Sequence, residues 1–298
     1  MEHLHHPGVL PASIAVKGLD LCRESTTRAV ARRFGLSPER GRGQSFLVDR
    51  EVRDAIVASL PESPRLVLEV GPGLGALTQG LLEAGRTVVG VEVDHRAVAA
   101  LGLLRVRHSE LRVVEESALR VGPSELGLSP PYIVVGNLPY SITGALLSHL
   151  LDMEPAPLSC HVLLQHEVAL RLAAPVGRWS LATLAVQLAA TCEVRLKMGP
   201  ESFWPRPKVS SALVELVPRR ALQRSAREAL LQLARPIFQQ RRKQLRHGVA
   251  VAMGVSPLRA GQLLELAQID PAQRPGAIDL GEWVRLGAVL TGGAGEWR

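Results

Sequence analysis

The chain has 298 residues, 46% of them hydrophobic, a formal net charge of +7 and three cysteines. Its pI is about 10.0 and its mean hydropathy +0.12. This fits a globular protein of about two domains and excludes general disorder, and no apolar run reaches the roughly 18 residues of a membrane span. Cys22, Cys160 and Cys192 lie far apart with no CxxC or Cys/His spacing, so neither a disulfide framework nor a metal site is expected.

The opening segment, MEHLHHPGVLPASIAVKG, lacks the cationic-then-apolar order of a signal peptide. It reads as a flexible tail, over residues 1–25, on a cytoplasmic protein. A basic cluster, RRFGLSPERGRG, follows at 32–43. From residue 65 strands and helices alternate: RLVLEV is a buried strand, GPGLGALTQGLLEAG a Gly-rich turn entering a helix, TVVGVEVD a second strand and HRAVAALGLL a helix. LRVVEESAL is read as a third strand, YIVVGNLPY as a fourth, TGALLSHLLD as a helix, CHVLLQHEVALRL as a strand running into a helix, and KVSSALVELVP as a late strand. Short β-branched runs alternating with helices indicate a largely parallel, doubly wound sheet. After VPRR at 217–220 the apolar spacing is helical only, which predicts a small all-helical domain beginning near Pro218.

Two places in this pattern carry chemistry. EVGPGLG, at 69–75, lies between a strand and a helix, where glycines let the backbone approach a ligand and the helix start offers free amides. Glu92 closes the second strand 21 residues after Gly71, the separation at which a carboxylate meets ribose hydroxyls. Pro72 removes one amide that a pyrophosphate site would use. A nucleoside cofactor without phosphate fits better, and Gly71, Gly73, Gly75 and Glu92 form a pocket suited to S-adenosyl-L-methionine. Asn137, Leu138, Pro139 and Tyr140 end the fourth strand at the sheet edge where such folds hold ligands. The Asn137 side-chain carbonyl and the Leu138 backbone carbonyl suit the two protons of an exocyclic amine, and Tyr140 suits stacking on a base. By itself the stretch fits a strand-ending turn with a core tyrosine equally well. The basic run QQRRKQLRH at 239–247 is either a solvated helix face or a phosphate-binding surface; beside the other features the second reading is preferred.

Taken together, GQSFLVD, EVGPGLGALT, VEVD, GNLPY, QHEVALRL, FWPRPKVSSALVEL and QQRRKQLR resemble, in order and spacing across about residues 26–290, the ribosomal RNA adenine dimethyltransferases, and most closely their small-subunit branch. The resemblance implies a Rossmann-like class I methyltransferase domain over 26–218 and a helical RNA-binding domain over 219–298. It also implies N6,N6-dimethylation of two adjacent adenosines near the 3′ end of small-subunit ribosomal RNA, with S-adenosyl-L-methionine as donor and the immature small ribosomal subunit as partner. Carried over residue by residue, the cofactor contacts are Gln44, Ser45, Leu47, Gly71, Glu92, Ser117 and Asn137. The base clamp is Asn137, Leu138, Pro139 and Tyr140, with Phe203 as second stacking face. Arg241, Arg242, Lys243 and Arg246 are the RNA contacts. The chain departs from the pattern at Ser45, where Asn or His is usual, at Ser117, where an Asp normally meets the cofactor adenine, and at Ser180, Gln244 and His247. As a strand neighbour of Ser117, Glu116 is expected to point to the opposite face. Two alternatives are a resistance-type methyltransferase of large-subunit RNA and an assembly factor with little catalysis. FWPRPKV and QQRRKQLR point to the small-subunit branch instead, and the intact NLPY argues for catalysis.

Overall fold

The computed structural model describes residues 19–38, 45–139, 141–220 and 222–292. Two helices and a short strand, α1 (Glu24–Arg33), β1 (Phe46–Leu47) and α2 (Arg50–Ala58), precede the alternating core. That core runs β2 (Leu66–Val70), α3 (Ala76–Glu83), β3 (Thr87–Glu92), α4 (His95–Arg105), β4 (Leu111–Glu115), β5 (Ile133–Asn137), α5 (Thr143–Leu151), β6 (Cys160–Gln165) and α6 (His166–Leu172). Then come α7 (Leu181–Ala189), β7 (Ala190–Met198), β8 (Phe203–Trp204) and β9 (Ser211–Pro218). Four helices finish the chain: α8 (Arg224–Gln239), α9 (Leu245–Met253), α10 (Pro257–Leu266) and α11 (Leu280–Thr291).

The main sheet has seven strands in the order β4-β3-β2-β5-β6-β9-β7. The first five are mutually parallel, and β9 is antiparallel to both β6 and β7. The sheet is therefore mixed, and β7 is a strand that the sequence reading omitted. Chain order reverses direction between β2 and β5, so their carboxyl ends form the switch-point crevice of a doubly wound sheet.

Alternation along the strands divides the core. Val67, Val88, Ile133, Val135 and Leu163 face α1 to α4, whereas Leu68, Val70, Val89, Val134 and Val162 face α5 to α7. A third core joins Leu230, Ile237, Val249, Leu264 and Leu286 of the last helices to Leu184 and Leu188 of α7, with Phe238 and Trp283 stacked at 5.3 Å. Ser180, a departure from the resemblance, has a local role: it forms a capping box with Thr183 at the start of α7.

Two expectations change here. Leu21 and Cys22, assigned to a flexible tail, are 2% and 4% exposed and belong to the first core, where Leu21 reaches Gly75 at the start of α3 beside Leu101 and Leu104 of α4. The basic run is not a continuous helix: α8 stops at Gln239, and Arg241, Arg242 and Lys243 form an exposed turn before α9, which carries Arg246.

Candidate active site

A cavity of about 290 Å³ opens at the switch point. Its wall combines the loop after β2, the ends of β3 and β4, the end of β5 and the β1 segment. The Gly-rich loop is shaped by what surrounds it. Gly73 has φ +56°, and a Cβ there would lie 3.0 Å from the Phe46 ring; Gly75 caps α3 with φ +88°. Gly71 also sits at the cavity, its N–H donating to the Val91 carbonyl at 2.9 Å.

Glu92, at the end of β3, is 8% exposed. Its Oε2 accepts from the Gly73 amide at 2.9 Å, and its Oε1 from the amides of Val93 and Asp94 at 2.9 and 3.0 Å. Burial raises its carboxyl above the ordinary range, and these three amides oppose the rise. Since a carboxylate offers about four acceptor positions, one remains for a ligand hydroxyl. Glu92 thus both fastens the Gly-rich loop and faces the cavity.

Asn137 ends β5 on the opposite wall. Its Nδ2 donates to the Ser45 backbone carbonyl at 2.8 Å. A carbonyl only accepts, so this contact fixes which way the amide is turned. Among the described residues nothing donates to the Asn137 side-chain oxygen, which stays available as an acceptor. Ser45 in turn donates its hydroxyl to the Pro205 carbonyl, tying the Asn137 wall to the FWPRP loop. The Pro139 carbonyl accepts from the Ile142 amide at 3.2 Å and the Thr143 hydroxyl at 3.0 Å, which holds the NLPY turn against the start of α5.

The structure brings Ser45, Leu47, Gly71, Gly73, Glu92, Ser117, Asn137 and Pro139 to this one cavity. Gly75 starts α3 just behind it, and the Leu138 side chain is buried at 1% exposure, which leaves its backbone as the useful part. Gln44 and Tyr140 lie outside the described residues. Phe203 is not in the cavity wall: it is 3% exposed, in the first core, and pairs with Leu47 across the β1–β8 ribbon. With its ring packed there, no face of Phe203 is open to a base. The Arg241–Lys243 turn and Arg246 are exposed and do not line the cavity.

The sequence reading gave no role at the site to Phe46, Glu69 and Asp94 and turned Glu116 away from it, yet all four line the cavity. Phe46 packs on Gly73 and stacks with Trp204 at 6.2 Å, over which Arg28 lies at 5.0 Å. Glu69 is buried in β2, and among the described residues its Oε2 has no hydrogen-bond partner; burial raises its carboxyl to about 8, with Thr78 opposing the rise and the charge of Glu92 adding to it. Glu116 also lines the cavity, as does Asp94, whose carboxylate is engaged by Arg96 at 2.7 Å. The wall therefore carries four carboxyl side chains and, among the described residues, no Lys, Arg or His; with Glu69 protonated at neutral pH and Asp94 paired with Arg96, Glu92 and Glu116 remain as its acidic groups. In a chain of net charge +7 this is a local reversal of sign. It disfavours a phosphate-bearing ligand and favours a cation.

Residues 39–274 match the family model described as ribosomal RNA adenine dimethylase. The chain belongs to this family. A curated relative from Dehalococcoides mccartyi, ribosomal RNA small subunit methyltransferase A, is 36% identical over 262 residues, covering 87% of this chain and 90% of the relative. The protein of the same name from Prosthecochloris aestuarii is 38% identical over 229 residues, covering 76% and 87%. Among solved structures, the 23S rRNA methyltransferase ErmE superposes with a TM-score of 0.64 at 27% identity, over 83% of this chain and 99% of that one. A dimethyladenosine transferase from Plasmodium falciparum shares the fold with a TM-score of 0.68 at 23% identity, over 81% and 95%. The cavity of this dimethylase suits the family's S-adenosyl-L-methionine, a nucleoside that is cationic at sulfur and carries no phosphate. Among the described residues no helix is long and apolar enough to cross a membrane, and no group of three His, Cys, Asp or Glu is placed to hold a metal ion.

Proposed function

We propose that this dimethylase methylates N6 of two adjacent adenosines near the 3′ end of small-subunit ribosomal RNA, twice each, on the immature small ribosomal subunit in the cytoplasm. The observation that carries the reading is the amide of Asn137, whose nitrogen is held by the Ser45 carbonyl and whose oxygen is left as an acceptor at the switch-point cavity. When bound, S-adenosyl-L-methionine supplies a methyl carbon that the adenine amine attacks, while the carbon–sulfur electron pair leaves with sulfur and the amine proton passes to water.

The chain's own groups do the positioning. Asn137 Oδ1 and the Leu138 carbonyl accept hydrogen bonds from the two N–H groups of the amine, which draws the nitrogen lone pair out of conjugation with the ring. These acceptors are preorganised, because the Ser45 contact and the Pro139 turn hold them before substrate arrives. Tyr140 is assigned the stacking face by its motif. A base in a helix must be splayed out to reach such a site. Glu92 offers its remaining acceptor position to a ribose hydroxyl. Glu92 and Glu116 favour the donor's positive charge over the neutral product, which helps product leave. Arg241, Arg242, Lys243 and Arg246 are assigned to RNA phosphate, outside the cavity, where a positive surface complements the negative strand.

The test is transfer of labelled methyl from S-adenosyl-L-methionine to small subunits isolated from cells lacking the modification, with large subunits as control. Incorporation into small subunits supports the reading. Label only in large-subunit RNA would place the chain with the resistance-type enzymes, and no label in either would leave binding without catalysis.

A further inference from the structure

Resemblance to the family puts the acidic residue that meets the cofactor adenine at position 117, where this chain has a serine. Strand alternation would turn the neighbouring Glu116 away, but β4 ends at Glu115 and the rule stops with it. Glu116 and Ser117 lie in the following turn, and both line the cavity. The two side chains are used differently. The Ser117 hydroxyl accepts from the Leu119 amide at 3.3 Å, a local turn contact. Glu116 is anchored through its own amide to the Glu92 carbonyl at 3.1 Å, and its Oε1 accepts from the Ser117 amide at 2.7 Å. That contact holds the carboxylate on the wall while leaving most of its acceptor positions open. Among the described residues no Lys, Arg or His is ion-paired with it.

The order of the strands says what this carboxylate meets. The methyl group has to lie at Asn137, on β5, and the ribose at Glu92, on β3. The sheet runs β5-β2-β3-β4, so a ligand spanning those two points continues over the end of β4. The flat base of the nucleoside arrives there, against Glu116. Adenine presents an amine donor at its C6 edge; its 6-oxo analogue, hypoxanthine, presents an acceptor that a carboxylate repels.

We propose that Glu116 reads the cofactor's adenine by accepting a hydrogen bond from its exocyclic amine, the acidic residue having moved by one position in this chain. The inference rests on the methyltransferase reading above. It is tested by calorimetry with S-adenosylhomocysteine and its deaminated analogue S-inosylhomocysteine, on the full chain and on Glu116→Gln and Ser117→Ala. The wild-type protein should bind the amine form at least about tenfold more tightly than the oxo form, as a charged hydrogen bond is replaced by repulsion. Glu116→Gln should bring the two affinities within about threefold, because an amide can turn its N–H₂ toward the oxo group. Ser117→Ala should keep the wild-type ratio. A wild-type ratio near one, a ratio that survives Glu116→Gln, or one lost in Ser117→Ala overturns the assignment. Each of these results presupposes binding of S-adenosylhomocysteine; absence of any binding by the wild-type protein would instead sink the methyltransferase reading itself.

Discussion

Asn137→Ala removes the side-chain acceptor proposed for the adenine amine and, at the same time, the donor to the Ser45 carbonyl at 2.8 Å. The two losses have different sizes. A preorganised polar group acting on the transition state is worth about 3–4 kcal/mol, so methyl transfer should slow by about 10²- to 10³-fold. One half-buried neutral hydrogen bond contributes about 1 kcal/mol to folding, which in a chain of this length lowers Tm by only about 2–4 °C. Donor affinity should fall by no more than about tenfold, the limit for one neutral hydrogen bond. Asn137→Asp sharpens the distinction: it keeps an acceptor for the amine but sets an oxygen against the Ser45 carbonyl, so the turn loses its tie and the rate should again drop. Single-turnover transfer to unmethylated small subunits, with calorimetry of the donor alongside, measures each quantity separately. A transfer rate for Asn137→Ala within twofold of wild type would refute the clamp.

Replacing Arg241, Arg242 and Lys243 by Gln should weaken binding to small subunits and flatten the plot of log affinity against log salt by about 2, with donor affinity unchanged; an unaltered slope would return the turn to a merely solvated role. Glu69 has a folded-state carboxyl raised to about 8 from an ordinary 4.5, so the fold binds a proton there that the unfolded chain has already released. Its contribution is fully present below about 4.5 and is lost as pH rises toward 8, at up to about 1.4 kcal/mol per pH unit. Glu69→Gln should remove that slope from a series of urea melts across this range, and an identical slope in the variant would contradict the assignment. Ser180→Ala should cost about 1 kcal/mol by opening the capping box of α7, seen as a lower denaturation midpoint; no change would mean that the cap is redundant.

The elements that build the cavity were legible because their signals are local. A buried run into a Gly-rich turn, an acidic residue at the next strand end and an Asn-Leu-Pro strand terminus each depend on a few adjacent residues. β7 was also legible in principle, since CEVRLKM alternates apolar and charged residues along Cys192–Met198, but its apolar side chains come singly between exposed ones and give no continuous run. Other features depend on contacts distant in sequence. Phe203 carries the motif of a stacking ring, yet its pairing with Leu47 lies 156 positions away and turns the ring into the core. Glu116 was misread because its orientation depends on where β4 stops, and an end can slip by a residue without any change of pattern. Glu92 was read as an acceptor for ribose hydroxyls; only the folded loop reveals the three amides that also use it. The acidic character of the cavity was likewise invisible in a basic chain, because Glu92 and Glu116 come from two separate strand ends.

Whether the chain dimethylates small-subunit RNA is tested most directly by mass spectrometry of that RNA after reaction. Small subunits lacking the modification would be incubated with the purified protein and isotopically labelled S-adenosyl-L-methionine, and the RNA digested and sequenced by mass. The expected result is four labelled methyl groups per subunit, two on each of two adjacent adenosines near the 3′ end, with incorporation by Asn137→Ala slower by about a hundredfold or more. Label on a single adenosine, on large-subunit RNA, or on no adenosine at all would contradict it.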